Sequence, residues 1–129
     1  MPMSSVASVL IVDDDDLVRA SLTAVFQKEK VARITAVASA EEAFKMLDVE
    51  PFSVIICDYE LPGINGVVFV GRLRLKKDMT PVLFISGSIA AEKITQAASR
   101  LMAGFLQKPF SVQDLLSSVE SLVTQSATA

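Results

Sequence analysis

The chain has 129 residues, 51% of them hydrophobic, a net charge of −3 and no histidine. That length and apolar content suit one compact domain and exclude a disordered chain. The mild acidity gives no electrostatic reason to expect nucleic acid or an anionic membrane surface as partner, and the missing histidine removes the commonest general base and zinc ligand.

Any chemistry must therefore run on carboxylates, hydroxyls, lysine or a hard metal ion. No apolar run approaches the roughly 20 residues of a membrane span. The start, MPMSSVAS, has neither the basic head nor the long apolar middle of a secretory signal. Cys57 stands alone in an apolar run, so no disulfide framework is expected, and a cytoplasmic location fits.

In chain order, short runs rich in branched residues alternate with segments of helical spacing. Val9–Val12 reads as a strand covered on both faces. Four adjacent carboxylates follow it, Asp13 to Asp16, and then Val18, Leu22, Val25 and Phe26 share one helix face. The second strand is Ile34–Val37. Ser39 and Glu42 then form a capping box before Ala40, Ala43, Phe44 and Leu47. The third strand, Val54–Cys57, leads to Asp58 and a Pro-Gly turn. Val67–Val70 has strand propensity but stands in a helix slot, with Leu73 continuing one face; a helix is expected. The fourth strand, Val82–Ile85, precedes Ser86, and Ile94, Ala97, Ala98 and Leu101 mark the next helix. The weaker run Ala103–Leu106 leads to Lys108. Ser111 is a plausible cap for a last helix carrying Leu115, Leu116, Val119, Leu122 and Val123. The tail Gln125–Ala129 is expected to fray. Five such alternations predict a doubly wound parallel sheet with helices on both faces. No linker divides the chain, so residues 1–129 read as one domain with a core of about 8–123.

Sites in open parallel sheets form beyond the carboxyl ends of the strands. Asp13 and Asp14 follow the first strand, Asp58 the third, Ser86 the fourth and Lys108 the fifth. If strands one and three are neighbours, three acids meet at one edge. Lys108 alone cannot neutralise them, and a hard divalent ion can; Mg²⁺ is favoured because it takes one or two carboxylates and leaves room for phosphate. Asp15 and Asp16 fall where a helix begins, and its dipole stabilises negative charge there. With a metal in place, a carboxylate can attack a phosphoryl group, and Asp58, alone opposite the acidic pair, is the candidate nucleophile. Lys108 and the Ser86 hydroxyl would hold the phosphoryl oxygens.

Each of these residues has a plainer explanation. Asp58 could be a turn residue, Ser86 a loop hydroxyl, Lys108 a surface charge and Phe105 a core ring. The functional reading gains weight because these explanations would have to coincide at four strand ends. Cys57 reads as a small core hydrophobe.

The whole pattern resembles the receiver domain of two-component response regulators. The resemblance runs from about Ser8 to Val123. It rests on LIVDD, CDYELPGINGVVF, FISG, the aromatic Phe105 and the KPF triplet, in that order. It implies strand order 2-1-3-4-5. It also implies transfer of a phosphoryl group from a histidine kinase or histidine phosphotransfer protein onto Asp58. Asp13 and Asp14 match the pair that holds Mg²⁺, Asp14 more directly, and Glu60 would add its backbone carbonyl. Ser86 matches the switch hydroxyl and Phe105 the aromatic that follows it inward; Lys108–Pro109 would be a cis peptide. Glu60 and Ser88 occupy variable positions that flank the path of the hydrolytic water, where they would set the phosphate lifetime. Leu101 and Met102 stand where the family often has Gly-Ala, and Gly87 where alanine is common. A receiver of this length would have no room for an output domain: either it acts alone, by docking to a downstream protein through the face near Ser86 and Phe105, or it is a fragment of a longer regulator.

Three rival functions are weaker. An Mg²⁺-dependent phosphohydrolase with an aspartyl phosphate intermediate needs a second acid and then a Thr after the nucleophile. Here Tyr59-Glu60-Leu61-Pro62 follows, without the Thr. A flavin or nucleotide module would present glycines after the first strand, where these carboxylates repel phosphate. A calcium loop would need Gly at Val18 and Glu at Ala24.

Overall fold

Branched apolar runs cannot face water on either side, so they become the inner strands of a sheet with helices above and below. The computed structural model describes residues 3, 5–87 and 91–128 and has that architecture. In chain order its elements are β1 (Ser8–Val12), α1 (Asp16–Lys28), β2 (Arg33–Val37), α2 (Ala40–Val49) and β3 (Val54–Asp58). There follow α3 (Gly66–Leu75), β4 (Val82–Ser86), α4 (Ala91–Arg100), β5 (Gly104–Gln107) and α5 (Val112–Thr128). All strand pairs are parallel, in the order β2-β1-β3-β4-β5.

Alternation along each strand sends side chains to opposite faces. Leu10, Val12, Ile55, Cys57, Val82 and Phe84 point to one face, with Ala40 and Ala43 of α2, Phe69, Val70 and Leu73 of α3, and Ala98 of α4. Val9, Ile11, Val54, Ile56, Leu83 and Ile85 point to the other, with Leu22 and Phe26 of α1 and Leu115, Val119 and Val123 of α5. Phe26, Phe69 and Phe84 are fully buried and anchor the two layers. Burying each contributes about 2–3 kcal/mol, and truncating Phe84 to alanine would cost about 3–5 kcal/mol.

The ambiguous valine run is helical, as expected. Asn65 caps α3 by accepting the Val68 N–H at 2.9 Å, and Gly66, Phe69, Val70 and Leu73 share the buried face. That periodicity outweighs the β-propensity of the valines. The Ser39 hydroxyl accepts the Glu42 N–H at 3.2 Å, while the Glu42 carboxylate reaches back to the Ala38 N–H rather than to that of Ser39. The Ser111 hydroxyl accepts the Asp114 N–H at the start of α5.

Two expectations need correction. The stretch from Gln125 to Thr128 continues α5 rather than leaving it, since no glycine or proline interrupts the helix after Val123; Ala129 lies outside the described residues. Asp58 and Ser86 do not follow their strands but close them, paired with Ile85 and Gln107 respectively. The pairing holds both backbones rigidly in the sheet while their side chains stand at its edge.

Candidate functional site

β1 and β3 are neighbours; Asp13 and Asp14 follow the first and Asp58 closes the second. Carboxylate oxygens of Asp13, Asp14 and Asp58 lie within 4.8 Å of one another. The sheet does most of this positioning. The Asp13 N–H donates to the Val37 carbonyl of β2 at 3.1 Å, and the Tyr59 N–H to the Ile85 carbonyl of β4 at 2.9 Å. Asp13 is wholly buried, Asp58 half-buried and Asp14 exposed. Asp15 caps α1, accepting N–H groups from Leu17 and Val18. The acidic run thus divides into cleft acids and helix start, as its spacing suggested.

The cleft is electrostatically under-compensated. Asp13 Oδ1 accepts the Asp15 N–H at 2.8 Å. Asp13 Oδ2 is buried and has no hydrogen-bond partner among the described residues. Its nearest counter-charge is Lys108 Nζ at 3.9 Å, on a partly exposed side chain. Burial raises the Asp13 pKa from the ordinary carboxylate value. The Asp15 N–H and Lys108 pull it down, while Asp58 and Asp14 push it further up. Asp58 is raised chiefly by burial too, against the lowering effects of the Glu60 N–H and Lys108. The neighbouring Cys57 thiol is pushed well up by burial and by both acids, which keeps it protonated and inert.

Lys108 reaches this cleft because β5 pairs with β4 and ends one residue before it. The Lys108 N–H donates to the Ser86 carbonyl at 2.7 Å, and the Lys108–Pro109 peptide is cis, the geometry that the resemblance implied. Ser86 is fully buried, and its hydroxyl donates to Glu60 Oε1 at 2.7 Å. Phe105, partly buried, is paired in register with Phe84, on the face that Ser86 shares. Glu60 also donates its N–H to Asp58 Oδ1 at 2.9 Å. Ser88 lies outside the described residues.

Two residues and one contact were not anticipated. Arg19 donates from Nη1 to the Asp13 carbonyl at 2.7 Å and pairs with Asp16, which fixes the loop between β1 and α1. Its spacing of three from Asp16 on a helix was the available signal. Gly66 lets α3 pack against the end of β3: an added Cβ would lie 2.8 Å from the Asp58 carbonyl oxygen and 3.1 Å from the Phe84 ring. The Glu60 side chain drew no expectation of bonding Ser86, since the two are 26 positions apart.

A buried, a half-buried and an exposed acid crowd one lysine, and one buried carboxylate oxygen has no hydrogen-bond partner among the described residues. That donor set fits a hard divalent cation, since oxygen ligands and surplus negative charge are what Mg²⁺ requires. The family model described as the response regulator receiver domain matches residues 9–120. The chain is 34% identical to response regulator protein FleR of Pseudomonas aeruginosa over 85% of its own length and 23% of that protein. It is 31% identical to transcriptional regulatory protein BasR of Escherichia coli, over 89% of its own length and 51% of that protein. It therefore spans only a quarter to a half of these curated relatives. The solved structure of chemotaxis protein CheY4 of Vibrio cholerae superposes with a TM-score of 0.81 at 29% identity, covering 91% of this chain and 98% of that one.

Proposed function

This chain belongs to the response regulator receiver domain family, and from that premise we propose that Asp58 accepts a phosphoryl group from a histidine kinase or histidine phosphotransfer protein. The observation that carries this reading is the meeting of Asp13, Asp14 and Asp58 within 4.8 Å, opposite Lys108 and around an orphaned buried oxygen. Asp13, Asp14, Asp58 and the Glu60 backbone carbonyl would hold Mg²⁺. When bound, the ion would offset the crowded negative charge and polarise the phosphoryl oxygens.

Asp58 Oδ1 is occupied by the Glu60 N–H, which orients the carboxylate and leaves its other oxygen for attack. That oxygen forms the new O–P bond as the P–N bond to the donor imidazole breaks, and the released nitrogen takes a proton from solvent. Lys108 takes up negative charge on the equatorial oxygens. Ser86, at the end of β4, then donates to a phosphoryl oxygen, and Phe105 follows it inward. The phosphoryl group shifts the population only because it binds this second arrangement better. The altered face near Ser86 and Phe105 would dock a downstream protein or output domain. No turnover beyond self-phosphorylation and self-dephosphorylation at Asp58 is proposed, and the setting is cytoplasmic.

Incubation with acetyl phosphate and Mg²⁺, followed by intact mass, tests the reading. One phosphate per chain is expected on the native protein and none on Asp58→Asn. Equal modification of the two proteins would show the acceptor to lie elsewhere.

A further inference from the structure

Glu60 is exposed beyond the end of β3, yet its carboxylate takes the hydroxyl proton of the fully buried Ser86 at 2.7 Å. Its backbone N–H holds Asp58 Oδ1 at 2.9 Å. One residue therefore touches both the phosphoacceptor and the hydroxyl that answers it. We propose that Glu60 is a positioning residue, a latch that keeps the Ser86 hydroxyl directed away from Asp58 until a phosphoryl group arrives. The inference rests on phosphoryl acceptance at Asp58, as proposed above.

A hydroxyl has a single proton to donate. While that proton lies on Glu60 it cannot lie on a phosphoryl oxygen, so the two acceptors compete. A hydrogen bond to a carboxylate is charge-assisted and about twice as strong as a neutral one. The phosphoryl group is nevertheless the stronger acceptor, because it brings a charge of about −1.5 to −2 and three oxygens. The same charge repels the Glu60 carboxylate, whose backbone is tied to the acceptor it must leave. Phosphorylation thus attracts Ser86 and expels its holder in one event. A side chain at position 60 without the carboxylate would remove this competing charged acceptor and make the second arrangement easier to reach.

The simpler alternatives are a hydrogen bond that only braces the loop, or a carboxylate that only repels the incoming group. Beryllofluoride with Mg²⁺, a stable mimic of the phosphoryl group on Asp58, separates them when titrated against the full chain with the Ser86 amide followed by NMR. Glu60→Ala is expected to tighten its binding about tenfold, and Glu60→Gln, which keeps an acceptor oxygen without the charge, about threefold. In a Ser86→Ala background the same Glu60→Ala change is expected to alter affinity by less than about twofold. Equal tightening in both backgrounds would overturn the latch in favour of plain charge repulsion. Unchanged or weaker binding in Glu60→Ala, with its melting temperature lowered, would leave Glu60 as a brace and overturn the latch as well. A native protein that takes neither beryllofluoride nor phosphate would instead remove the proposed function, and the latch with it.

Discussion

The two ends of the sheet treat buried charge in opposite ways. Opposite the acidic edge, near the entry of β4, half-buried Arg74 donates to the carbonyls of Leu101, Asp78 and Thr80 at 2.8–2.9 Å. Burial lowers its pKa, and Asp78 restores part of the loss. Asp78 is itself engaged, accepting both the N–H and the hydroxyl of Thr80. Here the polar groups are matched, and the result is a clamp joining α3, α4 and β4. At the other end Asp13 Oδ2 is buried without a hydrogen bond among the described residues, beside two further acids. Matched burial reads as structure, whereas an unmatched buried charge marks a place where a ligand completes the set.

The sharpest way to break this contrast is to remove one charge from each end. Arg74→Ala leaves three partly buried carbonyls without donors and should cost about 3 kcal/mol in urea unfolding, with phosphate acceptance at Asp58 retained. Asp13→Asn removes a buried like charge while keeping an acceptor for the Asp15 N–H. It should stabilise the protein by about 1–2 kcal/mol and lower phosphorylation by about 100-fold or more. If both changes destabilise alike, the acidic edge is ordinary structure.

A helix-packing change comes next in size. Gly66→Ala forces a Cβ to 2.8 Å from the Asp58 carbonyl oxygen, so the backbone at Asp58 or the start of α3 must shift. The phosphorylation rate should fall about tenfold, since small misplacements of reacting groups are costly. An unchanged rate would mean that α3 does not set the position of Asp58.

The smallest effect is a pH slope. Asp13 and Asp58 have folded pKa values raised above the ordinary carboxylate value, mainly by burial. The folded state therefore holds their protons more tightly than the unfolded chain does. Their favourable contribution is full below the unfolded pKa and is lost as pH rises through the folded one. Without divalent ions, thermal melts between about pH 4 and pH 7 should show Asp13→Asn gaining on the native protein as pH rises. A gap that narrows with pH would contradict the direction of the shift.

How legible this was in the sequence follows from which contacts are local. Parallel strands buried on both faces announce themselves by composition, and Asp13, Asp14, Asp58, Ser86 and Lys108 were placed simply because each lies at a strand end. The division of the acidic run into cleft and helix start followed from spacing alone, since Asp15 caps α1. What escaped depends on side chains that cross the chain. Arg74 gathers carbonyls from three segments, and Glu60 meets Ser86 across the cleft; neither has a periodic signature. Gly66 escaped for another reason: its role is the absence of a side chain where a backbone carbonyl passes. The end of α5 was misjudged because polar small residues were read as a loose tail, although nothing in them stops a helix.

Titration of Mg²⁺ into the full chain by calorimetry at neutral pH tests most directly whether the unmatched charge is a cation site. One saturable site per chain is expected on the native protein, lost in Asp13→Asn and retained in Arg74→Ala. Equal heats from the native protein and Asp13→Asn, or no binding to either, would contradict the account.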